Sequence, residues 1–293
     1  MLEGRIAIVT GAGSGLGRSH AKYLARHGAR LVINDVDIAA ATAVAEEIRA
    51  DGGEAIACGG SVTDESAVAQ MVAEVMGRWG RVDILVNNAG ILRDKSFAKM
   101  SMDDFRLVLD VHVMGSAICT KAVWEIMRAQ NYGRVVMTTS SSGLFGNFGQ
   151  SNYGAAKMAL VGLMQTLAIE GQKYNIRVNC LAPTAATGMT ADILPPESLE
   201  LLAPDKVSPG LLKLVSDDAP TRAVMCAGAG HFATSNVTLT DGTFVGSDND
   251  AGEEVIRRWE QISSRAGETV PQYGFAQAER EVASALKAVA TGS

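Results

Sequence analysis

The chain has 293 residues, 47% of them hydrophobic, enough for one large core or a core with an extension. A net charge of −6 and a pI near 5.3 argue against a nucleic-acid partner. Four scattered cysteines (Cys58, Cys119, Cys180, Cys226) make no Cys-x-x-Cys pair, and the four histidines (His20, His27, His112, His231) have no metal-ligand spacing, so neither disulfides nor a metal site is expected.

Arg5–Thr10 reads as a short buried strand and Leu31–Asp35 as a second, with a glycine-rich turn between them opening a helix over Gly15–His27. Asp37–Asp51 is helical, Glu54–Cys58 a strand, Asp64–Trp79 helical, and Val82–Asn87 a continuous apolar strand of the kind covered on both faces. This alternation predicts an α/β fold, a Rossmann-type doubly wound parallel sheet. A long helix is expected from Ser101 to about Asn131, with Asp104 at a capping-box position. Strand Arg134–Thr139, helix Ser151–Tyr174 and strand Arg177–Ala182 follow.

After Pro183 the composition changes. Residues 184–220 show no clear strand, and a mobile substrate lid at the sheet's carboxyl edge competes there with an ordinary pair of surface helices. A last strand is expected near Asn236–Thr240, then a charged helical stretch, Ala251–Arg265, and an Ala-rich one, Ala276–Ala290. The expected organisation is a single dinucleotide-binding catalytic domain over 1–245, with the lid at 184–220, and a C-terminal helical extension over 246–293. No signal peptide, membrane-length apolar run or peroxisomal Ser-Lys-Leu ending is read, so a cytoplasmic protein is expected, with no membrane partner.

Thr10-Gly11-Ala12-Gly13-Ser14-Gly15-Leu16-Gly17 joins the first strand to the first helix. Its glycines allow a tight turn and the approach of a pyrophosphate to the helix N-terminus, where unpaired N–H groups and the dipole favour an anion. A plain strand–helix turn would look similar. Asp35 ends the second strand, eighteen residues after Gly17, where a carboxylate can bind both adenine-ribose hydroxyls and repel a 2′-phosphate. With no Lys or Arg between Gly11 and Gly15, the expected cofactor is NAD, although Asp35 could also be a simple turn residue.

Tyr153 and Lys157 lie four residues apart, on one face of a helix, and Ser140 precedes the tyrosine by thirteen residues. A free phenol near pKa 10 is a poor acid–base catalyst, and a close ammonium is expected to lower it. Ser140 can hold a substrate oxygen for that phenol. A Tyr-x-x-x-Lys pair alone is common by chance.

Together with Asn87-Asn88-Ala89-Gly90, Asn179, Pro183 and Thr187, these motifs make residues 1 to about 245 resemble the short-chain dehydrogenase/reductase family. The resemblance implies hydride transfer to or from a nicotinamide, with Tyr153 as acid/base, Lys157 also on the nicotinamide ribose, and Asn87 steadying the core strand. It implies cofactor contacts from Gly11, Ser14, Gly15, Leu16, Gly17, Asp35, Ser61, Val62, Asn88, Ala89, Gly90, Pro183 and Thr187. Two positions depart from the family pattern. His112 stands where an asparagine usually supports a relay water, and could act as a relay group or pack in the core. Ser61-Val62 replaces the usual Asp-Val beside the adenine.

The segments Gly90–Phe97, Val111-His112, Tyr132-Gly133-Arg134 and Gly146–Tyr153 are similar to the (3R)-hydroxyacyl-CoA dehydrogenase branch of the family, the unit of peroxisomal multifunctional enzymes of type 2, also described as a 17β-hydroxysteroid dehydrogenase. That likeness implies an acyl-CoA or steroid substrate. A homodimer or homotetramer is expected through the helices Ser101–Asn131 and Ser151–Tyr174, which carry more apolar surface than one sheet can cover. A nucleotide-binding regulator without chemistry is the competing class. The retained serine, tyrosine and lysine argue against it.

Overall fold

The computed structural model describes residues 1–186 and 200–291. It divides into two compact units, Met1–Thr234 and Ser235–Ser293. The first is a sheet of eight strands in the order β3-β2-β1-β4-β5-β6-β7-β8, parallel from β3 through β7. The strands are β1 (Ile6–Thr10), β2 (Arg30–Asp35), β3 (Ala55–Gly59), β4 (Ile84–Asn87), β5 (Gly133–Thr138), β6 (Ile176–Thr184), β7 (Val224–Gly228) and β8 (His231–Ser235). Ile6, Ala7, Ile8 and Val9 are all fully buried because helices cover both faces, which explains the lack of polar alternation. Strand order reverses at β1, between β2 and β4, and that crevice is where such sheets take ligands.

Helices α1 (Gly15–Arg26) and α2 (Ile38–Ala50) cover one face, and α3 (Glu65–Trp79), α5 (Gly115–Ala129) and α7 (Ser151–Gly171) the other. Local chemistry sets their starts. The Asp37 side chain accepts from Ala39 and Ala40 N–H, Asp64 from Ser66 and Ala67, and Ser101 from Asp104. A short helix α6 (Ser141–Phe145) follows β5, and α4 (Met102–Leu109) precedes α5.

The long helix expected from Ser101 is interrupted. Between α4 and α5 the five residues Asp110–Met114 form a π-turn, whose extra residue rotates His112 inward to 2% exposure. Ser116 Oγ donates to the His112 carbonyl at 2.6 Å and takes up the displaced backbone acceptor. Counted through this turn, Met102–Ala129 is 28 residues and holds an 18-residue window of mean hydropathy 1.3, so by length and composition it is apolar enough to cross a membrane, against the expectation that no run approaches that length. Here its Cys119, Val123 and Met127 pack into the core beside β4 and β5.

The final strand was expected five residues too late, since β8 closes the sheet at His231–Ser235 and not at Asn236–Thr240, and β7 was not expected at all. Residues 236–240 form only one bridge, Leu239 with Thr269, whereas β7 at Val224–Gly228 pairs with β6. β7 is short and holds Met, Cys and Gly, so no β-branched run announces it; its pairing with β6 makes it a strand. Part of the stretch read as a lid is core. In α8 (Ser208–Val215) and the residue before it, Val207, Leu211, Leu214 and Val215 are fully buried. Each such side chain contributes roughly 2 kcal/mol by burial, so this helix belongs to the core. Ala186 N–H donates to the Leu202 carbonyl at 2.7 Å and ties the two ends of the intervening segment. Thr187 and the lid residues Met189, Ile193, Leu194 and Leu199 lie outside the described residues.

The second unit holds α9 (Ala251–Arg257), α10 (Trp259–Ile262) and α11 (Ala276–Thr291). Arg280 joins its parts, donating to the Thr240 carbonyl at 2.7 Å and to Thr269 Oγ1 at 2.6 Å.

Candidate active site

The glycine turn leaves β1 at Thr10 and is shaped by the neighbouring strand. Thr10 Oγ1 accepts the N–H groups of Asn88 (3.0 Å) and Ala89 (3.1 Å), while the Asn88 amide donates to the carbonyls of Thr10 and Gly11, each at 3.0 Å. A Cβ on Gly17 would collide with the Gly11 carbonyl oxygen and lie 2.8 Å from the Ala12 Cα, so only glycine lets the helix begin this close to the turn. The Ser14 side chain makes no cap, and the first-turn N–H groups of α1 at Gly15, Leu16 and Gly17 are available to an anion.

Asp35, at the end of β2, accepts the Gly13 N–H on Oδ2 at 2.9 Å and the Asp37 N–H on Oδ1 at 3.1 Å. Two backbone donors thus hold a carboxylate against the turn. Ser61 folds back instead, its Oγ 2.8 Å from Thr63 Oγ1, and Val62 is buried against Gly115, where α5 begins. Asn87 is buried between β4, α5 and β5, its amide donating to Thr120 Oγ1 at 3.0 Å, so Asn88 is the residue that clasps the turn. Asn179 likewise acts within the scaffold: it donates to the Pro220 carbonyl and accepts the Ala223 N–H, fixing the approach to β7. Pro183 lies near the end of β6, half-buried.

Ser140, Tyr153 and Lys157 converge beyond the end of β5. Ser140 caps α6, and its hydroxyl acts on the Tyr153 phenol, drawing its pKa down. Lys157 is buried, its Nζ donating to the Thr138 carbonyl at 2.6 Å and lying 5.3 Å from the Tyr153 ring centroid. The expected lowering of the phenol by Lys157 is not what this arrangement produces. Burial raises the Tyr153 pKa above its usual value, the Ser140 hydroxyl opposes that, and the Asp94 carboxylate adds to it. Burial brings Lys157 down to about 7.

His112 presents an edge to Tyr153, with ring centroids 5.3 Å apart. Its Nε2 lies 2.9 Å from the Ile91 carbonyl oxygen and 3.1 Å from the Ile91 nitrogen, so the imidazole pins the chain leaving β4. Gly90 has no Cβ because one would enter the imidazole ring. Burial first, then the Lys157 charge, lowers His112 to about 3, so the ring is neutral, and its buried Nδ1 has no partner among the described residues.

Three residues that sequence reasoning gave no role complete the site. Gln150 Nε2 donates to Asp94 Oδ2 at 2.6 Å, and its Oε1 accepts from Ser142 Oγ at 2.7 Å and Asn147 Nδ2 at 3.0 Å. Asn152 Nδ2 donates to the Arg93 carbonyl at 3.0 Å, and Lys95 N–H to the Gly149 carbonyl at 2.9 Å. The segment after β4 is thereby laced to the segment that carries Tyr153. No local periodicity marks such contacts, whose partners lie 54 to 59 positions apart.

The family pattern described as short chain dehydrogenase matches residues 5–197. A short-chain type dehydrogenase/reductase of Mycobacterium tuberculosis is 45% identical over 276 residues, covering 91% of this chain and 96% of that protein. Among solved structures, the full-length peroxisomal multifunctional enzyme type 2 of Drosophila melanogaster superposes with a TM-score of 0.82 at 36% identity, over 97% of this chain and 50% of that one. A 7α-hydroxysteroid dehydrogenase complexed with NADH and 7-oxo glycochenodeoxycholic acid superposes with a TM-score of 0.73 at 30% identity, over 78% of this chain and 94% of that one. The chain spans only 30% to 60% of the peroxisomal multifunctional relatives it matches.

Burial of the histidines sets an acid limit on stability. His20, fully buried with Nδ1 2.9 Å from Ser208 Oγ, is lowered to about 4, and His112 to about 3. Between those values and the ordinary 6.5 the unfolded chain binds more protons than the folded one. Their neutral burial therefore costs nothing above pH 6.5 and destabilises increasingly as pH falls toward 4, by up to about 1.4 kcal/mol per pH unit for each group. Urea midpoints are expected to drop from pH 7 to 4.5, and His20→Gln to drop less steeply. Equal slopes for the two proteins would show that His20 does not contribute.

Proposed function

Because the chain belongs to the short-chain dehydrogenase family, we propose that it uses NAD to oxidise a secondary alcohol to a ketone, and that the alcohol is the hydroxyl of a 3-hydroxyacyl-CoA. The carrying observation is the convergence of Ser140, Tyr153 and Lys157 just past the carboxyl end of β5, with the Ser140 hydroxyl drawing the phenol's pKa down.

The residues present suit a dinucleotide. The uncapped first turn of α1 accepts a pyrophosphate, and Asp35, steadied by two N–H donors, faces the glycine turn where an adenosine ribose would lie. Lys157 would hold the second ribose. When bound, the dinucleotide supplies the two-electron acceptor beside Tyr153.

The chain's own groups handle the proton. Ser140 orients the carbinol oxygen, and its hydroxyl favours the Tyr153 phenolate, which removes the hydroxyl proton. Lys157, titrating near neutrality, can pass that proton onward. His112 holds Ile91 through Nε2 and leaves Nδ1 for the relay. The thioester reading is supported by the likeness to the hydroxyacyl-CoA branch. A hydroxysteroid is the second reading, favoured by the hydroxysteroid dehydrogenase neighbour. Adding NAD with a 3-hydroxyacyl-CoA or a 17β-hydroxysteroid and following NADH absorbance separates the two.

Tyr153→Phe is expected to lower kcat roughly a thousandfold, with NAD binding nearly intact. More than about a tenth of the wild-type rate would remove Tyr153 from the acid–base role.

Asp35→Ala is expected to weaken NAD binding and to relax discrimination against NADP, because a like-charge clash with a 2′-phosphate disappears. A wild-type protein that already prefers NADP would contradict the assignment.

We propose a homo-oligomer as well. Helices α3, α5 and α7 border an outward groove of about 710 Å³ lined by Ile118, Trp124, Leu163 and Leu167, the surface a second copy would cover. Light scattering at micromolar concentration should report a dimer or tetramer; a monomer refutes it.

A further inference from the structure

The outer rim of the site combines exposed aromatic rings with loosely paired cations. Of the seven phenylalanines, Phe97 and Phe145 are 71% exposed and Phe148 is 90% exposed. All three lie on the segments that follow β4 and β5 at their carboxyl ends. The Lys95 to Gly149, Gln150 to Asp94 and Asn152 to Arg93 hydrogen bonds bring these segments together one residue from Tyr153. Rings this open gain nothing from the core, and solvating them is unfavourable unless a ligand covers them.

The charge beside them has the sign that suits phosphate. Residues 93–106 carry four cations (Arg93, Lys95, Lys99, Arg106) against three carboxylates (Asp94, Asp103, Asp104), on a chain whose net charge is −6. Arg93 and Lys95 share one carboxylate, Asp104, at 3.9 and 3.8 Å, and that carboxylate also accepts from Ser101 Oγ. Asp94 is taken up by Gln150 and Asp103 by Arg106. Lys99, in the turn with Phe97, has no ion-pair partner among the described residues. Pairs this long and exposed contribute little, so the ammonium groups can turn to a better anion at small cost.

We infer that the Lys95–Phe97–Lys99 turn and Phe148 form a subsite for the adenosine phosphate end of coenzyme A, outside the pocket that holds the reacting carbon. Aromatic faces receive the adenine, and the ammonium groups receive its phosphates. A free steroid has neither group and would leave the rim unused. The inference rests on the thioester reading and decides within it, since binding energy from the non-reacting end of a substrate is available to orient the reacting end.

The test compares a 3-hydroxyacyl-CoA with the same acyl group on N-acetylcysteamine, which lacks the nucleotide. In the wild type kcat/KM should favour the CoA ester by tenfold or more. In Lys95→Glu and in Phe148→Ser that ratio should fall roughly five- to tenfold, the size of one exposed charge-assisted or stacking contact. Adenosine 3′,5′-bisphosphate, titrated calorimetrically with NAD saturating so that the dinucleotide site is closed, should bind the wild type and bind Lys95→Glu several-fold more weakly. Oxidation of both thioesters with an unchanged ratio in the variants overturns the subsite and leaves the proposed reaction standing. A preference for an acyl-carrier-protein thioester, with no binding of the bisphosphate, assigns the rim to a protein partner and also overturns it. If no thioester is oxidised, the proposed reaction fails, and the bisphosphate titration still decides the subsite.

Discussion

Parallel pairing of β1 with β4 places Thr10 beside Asn88, and the rest of the site depends on what those two residues exchange. One hydroxyl accepts two successive N–H groups, and one amide returns its protons to two successive carbonyls. The glycine turn is thus shaped from the neighbouring strand and not by its own sequence alone. From Asn88 the chain runs over His112 at Gly90 and is pinned at Ile91. At Arg93 it accepts the Asn152 amide, one residue before Tyr153. The glycine turn and the Tyr153 phenol, nearly half the chain apart, are therefore joined through a short run of backbone held at every second or third residue.

Burial makes this arrangement chemically useful and also electrostatically demanding. The same desolvation raises Tyr153, lowers Lys157 to about 7 and lowers His112 to about 3. Tyr153 and Lys157 are displaced apart, the phenol upward and the ammonium downward, because burial favours the neutral form of each. His112 moves down with Lys157 and stays neutral throughout, so it fits hydrogen bonding and not charge storage. The π-turn places that imidazole; an uninterrupted helix would turn position 112 differently by about a third of a revolution from its successors.

Much of the fold was legible because each element carries its own signal. The fully covered strands read as unbroken apolar runs, the helices begin at Asp37, Asp64 and Ser101, and the alternation of strand and helix admits few topologies. The misses share one cause. β7 is a strand only because β6 offers it an edge, whereas Asn236–Thr240, with better strand residues, finds just Thr269. Helix α8 read as part of a lid or of a surface helix pair because its apolar residues announce burial only against α1 and the sheet. Asp94, Gln150 and Asn152 showed no signal, since polar residues in loops acquire a role from their partner across space.

The sequence by itself determined the class of fold, the glycine turn with Asp35, and the serine, tyrosine and lysine, because these follow from short-range spacing and from residue types with few alternatives. Only the tertiary structure decided which asparagine clasps the turn, that position 112 is turned inward, that burial and not Lys157 dominates the phenol, and that aromatic and basic side chains gather at one rim. Those outcomes depend on desolvation and on contacts between segments far apart in the chain, quantities that no local window contains.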